Sequence, residues 1–423
     1  MSKCKMNIYI CKGVILNMAN IKPFCAVRPA NTFVKEIAAL PYDVYSREEA
    51  VAVIAKHPDS FLKIDRPETN FSKNISFSDS CVYQTAGELL SKMIKEKKFI
   101  QDKQKGFYIY RLIMDGRSQT GLVGCASIDD YNSSVIMKHE NTRSDKEQDR
   151  VNHIKACNAQ TGPIFLSYKQ DPLMQEILEK NMEKTPIYDF NADDNITHTI
   201  WHISEEQDIL QIEQIFSNIN KIYIADGHHR CAAAVKVGME MRKPNCEQES
   251  DFFLSVLFAD DQLKIFDYNR VIKDLNGNTN EGILSAVSQK FDLSMSDIPV
   301  SPKKKGDFGM YLDHQWYLLS FKGQNRVNNP VESLDVSILQ TYILEPVFQI
   351  TNPKTDQRID FVGGIRGLGE LERRVHTDCK IAFSMFPTSI EQLFSVADAH
   401  QLMPPKSTWF EPKLRSGLFI HLI

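Results

Sequence analysis

The chain has 423 residues, 42% hydrophobic and 25% charged, with a formal net charge of −4. That length suits two or three domains with a sizeable buried core. The slightly acidic balance excludes a dedicated nucleic-acid binder, which carries a basic excess, while leaving room for a local basic pocket. No apolar run approaches the roughly 20 residues of a membrane span. The nine cysteines are scattered without CxxC spacing. This argues against a disulfide scaffold or structural zinc site and places the protein in the cytoplasm.

Residues 1–17 read as a non-functional N-terminal extension, because Met18 begins MANIKPFCAVRP, a natural protein start. Residues 18–130 form a first α/β block. Ser46 and Glu49 have capping-box spacing, so a helix is expected to begin there; FYIYRL and GLVGCASI read as strands. The second block, 131–275, opens with KHENT, and then Ser144 and Glu147 offer a second capping box. GPIF begins a short buried strand, and KIYIADGHHRCAAAVKVG (221–238) reads as strand, turn and helix. DFFLSVLFADDQLKIFDYNRVI alternates like a strand pair around Asp260 and Asp261. The third block, 276–423, carries an expected hairpin about Asp313 and His314, a helix over LDVSILQTYILEPVF and a terminal prolyl loop leading to a strand. The whole is an α+β (mixed α/β) pattern.

Chemistry concentrates at DGHHR. A strand that closes in Gly and enters a helix presents unpaired backbone N–H groups at the positive end of the helix dipole. Gly227 permits close approach of a ligand, and Arg230 with His228 and His229 adds donors. The three alanines after them let the helix pack closely. The reading is a phosphate-binding turn. Two others stay open: Asp226 as a simple helix cap, and a metal held by the histidines. Adjacent helical side chains diverge by about 100°, which weighs against the metal. In KHENT, His139 and Glu140 place a carboxylate beside an imidazole before a helix, a pairing suited to general-base work or to an ordinary solvated charge pair.

Together these pieces resemble the free serine kinases of the ParB/sulfiredoxin-like fold, in which an HE pair precedes a helix and a D-G-x-H-R motif follows a strand. The resemblance implies that 131–275 is a nucleotide-binding kinase core. It implies a nucleotide phosphate held by Asp226, Gly227, His228, His229 and Arg230, with Glu140 as the base on a serine hydroxyl. More of the chain is similar to a longer family of uncharacterised bacterial and archaeal proteins related to those kinases. The segments that carry this are LPYDVYSREEA (40–50), FLKIDRPE (61–68), HENT with Lys146, Asp149 and Arg150, GPIF, ADGHHR, LDVSILQ with ILEP, and MPPKSTWFEPKLRSGL (403–418). Cys231 stands where that pattern commonly has an aromatic residue, and 166–220 is longer than in the compact kinases.

The expected reaction transfers a phosphoryl group from ATP or ADP to free L-serine, with Mg²⁺ bridging phosphate oxygens and Asp226 as its candidate ligand. His139 steadies Glu140. Asp43, Lys146, Asp149 and Arg150 are further candidates for substrate or phosphate contact. MPPKSTWFEPKL holds Lys406 and Lys413 but lacks the glycines of a Walker loop; a prolyl loop delivering Lys406 from the third block is the expectation. The expected partners are a nucleotide and an amino acid, with no nucleic acid and no membrane. The alternatives are a non-catalytic nucleotide-binding module and a phosphoester hydrolase.

Overall fold

A computed structural model describes residues 9–11, 14–323 and 329–423. Most of the expected extension, residues 1–17, lies outside the described residues or is described as backbone alone. The chain forms two compact units, one reaching to Leu263 and including Pro412–Ile423, the other Lys264–Glu411.

The first unit is built on a nine-stranded mixed sheet. Its strands are β1 (Ile21–Lys22), β2 (Phe107–Met114), β3 (Arg117–Ser127), β4 (Ile136–Met137), β5 (Ile164–Tyr168), β6 (Tyr188–Asn191), β7 (Thr197–Ile203), β8 (Ile222–Asp226) and β9 (Phe252–Ala259). The order is β6-β7-β2-β3-β9-β5-β8-β4, with β1 added to β3. Strands before and after residue 130 therefore share one sheet. Only the β5–β9 and β4–β8 pairs are parallel. β5 and β9 are buried throughout, as expected of strands covered on both faces.

Helices in this unit bury apolar residues in two clusters, one on the sheet and one beside it. α1 (Arg47–Lys56) starts with the expected capping box, Ser46 accepting from the Glu49 amide and Glu49 accepting from that of Ser46. α2 (Ser80–Lys95) buries Val82, Tyr83, Ala86, Leu90 and Met93, at helical spacing. α3 (Ser144–Cys157) also forms, but without its expected capping box: the helix begins one residue earlier in register, with Arg143 as N-cap. The reason is tertiary, since His229 Nε2 accepts the Arg143 amide at 3.0 Å. α4 (His228–Met241) buries Cys231, Ala232, Ala233 and Ala234 and packs against α3.

The second unit holds a six-stranded antiparallel sheet. Its strands are β10 (Tyr268–Ile272), β11 (Phe291–Ser296), β12 (Asp307–Leu312), β13 (Gln315–Phe321), β14 (Ile359–Gly363) and β15 (Ile381–Ser384). β12 and β13 make the expected hairpin, with Asp313 and His314 both at positive φ, the backbone of a type I′ turn. LDVSILQTYILEPVF is helical, with a π segment at Gln340–Leu344. The expected strand pair around Asp260 and Asp261 does not form. β9 pairs with β3 and β5, whereas β10 pairs with β14 and β15. Alternation reports which residues face a core; it does not report which strand lies alongside. No described helix is long and apolar enough to cross a membrane.

Candidate functional site

β8 ends at Asp226 between two neighbours, and that position assembles the site. On one side β4 runs parallel to it and leads into Lys138, His139 and Glu140. On the other side the antiparallel β5 starts just after Gly162 and Pro163, with Phe165 opposite Asp226. Gly227 then takes φ 93° and ψ 31° as N-cap of α4, a left-handed conformation that side chains resist. A Cβ there would meet the Arg230 guanidinium at 3.0–3.2 Å. Gly227 therefore serves both the turn and the close approach.

The first turn of α4 sends its side chains to opposite flanks. His228 is buried, and its Nε2 accepts the His139 amide at 3.4 Å. With Nε2 accepting, the neutral ring carries its proton on Nδ1, and Nδ1 lies 3.8 Å from Glu140 Oε2. Burial, reinforced by His139, holds the His228 imidazole well below its ordinary pKa. His229 turns to the start of α3, as above. Arg230 Nη1 donates to the Pro163 carbonyl at 2.6 Å on the β5 flank. The histidine pair thus diverges as helical geometry requires. Among the described residues, no group of three or more His, Cys, Asp or Glu side chains could hold a metal ion.

His139 and Glu140 also part company, because successive residues of extended chain point to opposite sides. The His139 ring lies edge-on to His228, centroids 4.5 Å apart, and is buried with its Nδ1 lacking a hydrogen-bond partner. Burial pushes its pKa down to about 4, although Asp226 and a bond to the Ile224 carbonyl oppose the shift. Glu140 remains 45% exposed. The imidazole that reaches Glu140 is that of His228, not its sequence neighbour.

Asp226 does not cap the helix in the usual way. Its Oδ1 accepts the Gly227 amide at 2.8 Å, and its Oδ2 takes an ion pair with Lys413 Nζ at 3.0 Å. Burial alone would raise its pKa; Lys413 and Arg230 outweigh that and hold the carboxyl well below the usual carboxylate range. Each carboxylate oxygen thus already takes one donor from the chain itself.

The remaining candidates fall in different places. Arg150 is buried, chelated to Asp149 at 2.8–2.9 Å and stacked 4.1 Å over the Tyr42 ring. Asp149 also accepts from the Tyr83 hydroxyl at 2.8 Å. Arg150 and Arg230 both line a narrow recess with Tyr42, Asp65, Thr161, Leu254 and Ser416. Asp43 and Lys146 are exposed, Lys146 lying 5.5 Å from the Phe77 ring. Lys406 belongs to the second unit, where its Nζ lies 5.6 Å from the Tyr268 ring and its carbonyl accepts from Arg270. Sequence reasoning passed over Asp65, which accepts from the Thr161 hydroxyl at 3.1 Å. In the same FLKIDRPE segment Arg66 pairs with Glu68 and donates to the carbonyl of Tyr42.

No curated protein matches the chain. Among solved structures, a free serine kinase variant in complex with ADP is similar at 12% identity and a TM-score of 0.36, over 74% of this chain and 92% of that one. SbnI from Staphylococcus aureus, with a C-terminal truncation, is similar at 11% identity and a TM-score of 0.37, over 71% and 87%. A conserved hypothetical protein from Pyrococcus furiosus is similar at 14% identity and a TM-score of 0.34, over 74% and 95%. A family model, "Protein of unknown function (DUF1015)", matches residues 21–337. The chain belongs to the DUF1015 family.

Proposed function

We propose that the protein is a small-molecule kinase that moves a phosphoryl group from ATP or ADP to the hydroxyl of free L-serine. The observation that supports it is the meeting of Glu140 with the first turn of α4, 3.8 Å from His228 Nδ1. A carboxylate able to accept a proton lies beside a helix start able to hold a phosphate.

In this reading the N-terminal N–H groups of α4 and the Arg230 guanidinium hold the donor's phosphate oxygens. The bond between the terminal phosphorus and its bridging oxygen breaks, and the electron pair stays on the departing nucleotide. A new bond forms between that phosphorus and the serine oxygen, whose proton passes to Glu140. Neutral His228, its Nδ1 3.8 Å away, adds no positive charge beside the carboxylate and leaves it basic.

The test is purified chain with ATP or ADP and L-serine, read by phosphorus NMR. O-phosphoserine is the expected product. Glu140→Gln should lower turnover by roughly 100-fold or more while leaving ADP affinity within a few-fold. Phosphate release without phosphoserine would make the protein a hydrolase. Nucleotide binding without turnover would make it a binding module, and full turnover by Glu140→Gln would remove the assigned base.

A further inference from the structure

The last twelve residues, Pro412–Ile423, return to the first unit and are stitched into it. Ser416 exchanges backbone hydrogen bonds with Ala39, Ile420 exchanges them with Val27, and His421–Leu422 pairs with Ala159–Gln160. Leu414, Leu418, Phe419 and Ile420 are buried. Arg415 is buried too, donating to His198 and paired with Asp194. A segment held at this many points fixes the direction of the side chains it carries.

One of those side chains is Lys413, 16% exposed, with its ammonium 3.0 Å from Asp226 Oδ2 at the mouth of the Gly227 turn. The cation balance there explains what it adds. His139 and His228 are buried and neutral at pH 7, by the pKa directions above. Arg230 and Lys413 are then positive side chains acting on Asp226, while Lys138 acts on the adjoining His228. An ammonium is a compact point charge with three donors, and Asp226 accepts one of them. Its carboxylate partner is held ionised at any ordinary pH.

We infer that Lys413 is a phosphate-binding residue of this site, delivered by the C-terminal segment and positioned by Asp226. It neutralises charge on the phosphate oxygens gathered at the start of α4 and exchanges no proton during transfer. This assigns Asp226 the task of holding a lysine in place. The inference rests on the reading of this turn as a phosphate site.

The experiment titrates ADP and, separately, pyrophosphate into the full chain by calorimetry, comparing wild type with Lys413→Met, Lys413→Gln and Lys413→Arg. Lys413→Gln keeps a donor for Asp226 without the charge, so it remains informative if Lys413→Met does not fold; melting curves check each variant. Loss of the charge should weaken ADP and pyrophosphate binding by roughly tenfold or more, and Lys413→Arg should stay within about threefold of wild type. Wild-type affinity in Lys413→Gln for both ligands overturns the assignment while the kinase reading stands. If wild type binds pyrophosphate but not ADP, the nucleotide reading falls, and Lys413 keeps its role only if Lys413→Gln weakens pyrophosphate. Binding of neither ligand by wild type overturns both.

Discussion

Both units contain a strand that runs through glycine into a helix, and the proposed phosphate site uses the one in the first unit. In the first unit β8 passes through Gly227 into α4. In the second, β14 passes through Gly363, Gly364 and Gly367 into a helix over Leu368–Thr377, with Gly367 at φ 73°. Both helix starts carry the same dipole and the same orphan N–H groups. The difference is what converges on them. At Gly227 a Cβ would strike Arg230, Lys413 pairs with the preceding aspartate and buried imidazoles pack alongside. At Gly367 nothing lies within 4 Å of a Cβ, and Arg366 is 69% exposed, 3.9 Å from Glu370. A glycine turn supplies access; charge brought in from distant segments supplies chemistry.

The sharpest way to break this comparison is to substitute both glycines. Gly227→Ala should cost about 1–2 kcal/mol in backbone strain and displace Arg230, so ADP affinity should fall by roughly tenfold or more. Gly367→Ala should cost stability through the same kind of strain and leave ADP affinity unchanged. Equal losses of ADP affinity in the two variants would show that the turn alone, and not its surroundings, sets the site.

Acid separates the two regions more gently. The His139 pKa is pushed down to about 4 and that of His228 well below its usual value, so the unfolded chain binds more protons than the folded one once pH drops below about 6.5. Stability is therefore fully present above that pH and declines as pH falls toward 4, by up to about 1.4 kcal/mol per pH unit for each imidazole. Hydrogen-exchange protection factors, referred to the intrinsic rate at each pH, should fall between pH 7 and 5 in α4 ahead of Leu368–Thr377, and His139→Phe should flatten the dependence. A uniform loss of protection would disconnect it from these imidazoles. The smallest effect belongs to Arg366→Met, expected within about 0.5 kcal/mol of wild-type stability, with unchanged ADP affinity.

Much of the local structure could be read along the chain. The Ser46–Glu49 box, the hairpin at Asp313 and His314, and the strand–turn–helix at Gly227 all rest on signals within a few residues, and all three form. The failures share a cause as well. The Ser144 box gives way to a histidine 85 positions later in the chain, and the strands flanking Asp260 and Asp261 join different sheets. At the site, Glu140 was legible as a carboxylate next to an imidazole, though which imidazole depended on the fold.

By itself the sequence determined an α+β chain with a strand–glycine–helix turn at Asp226–Arg230, because glycine freedom, helix polarity and apolar spacing are properties of neighbouring residues. Only the tertiary structure decided that Lys413 reaches Asp226, that His228 faces Glu140 and that Arg230 turns to Pro163. Those pairings join segments separated by tens to nearly two hundred residues. Which of many charged side chains meets which is set by strand order and packing, and local pattern carries no record of either.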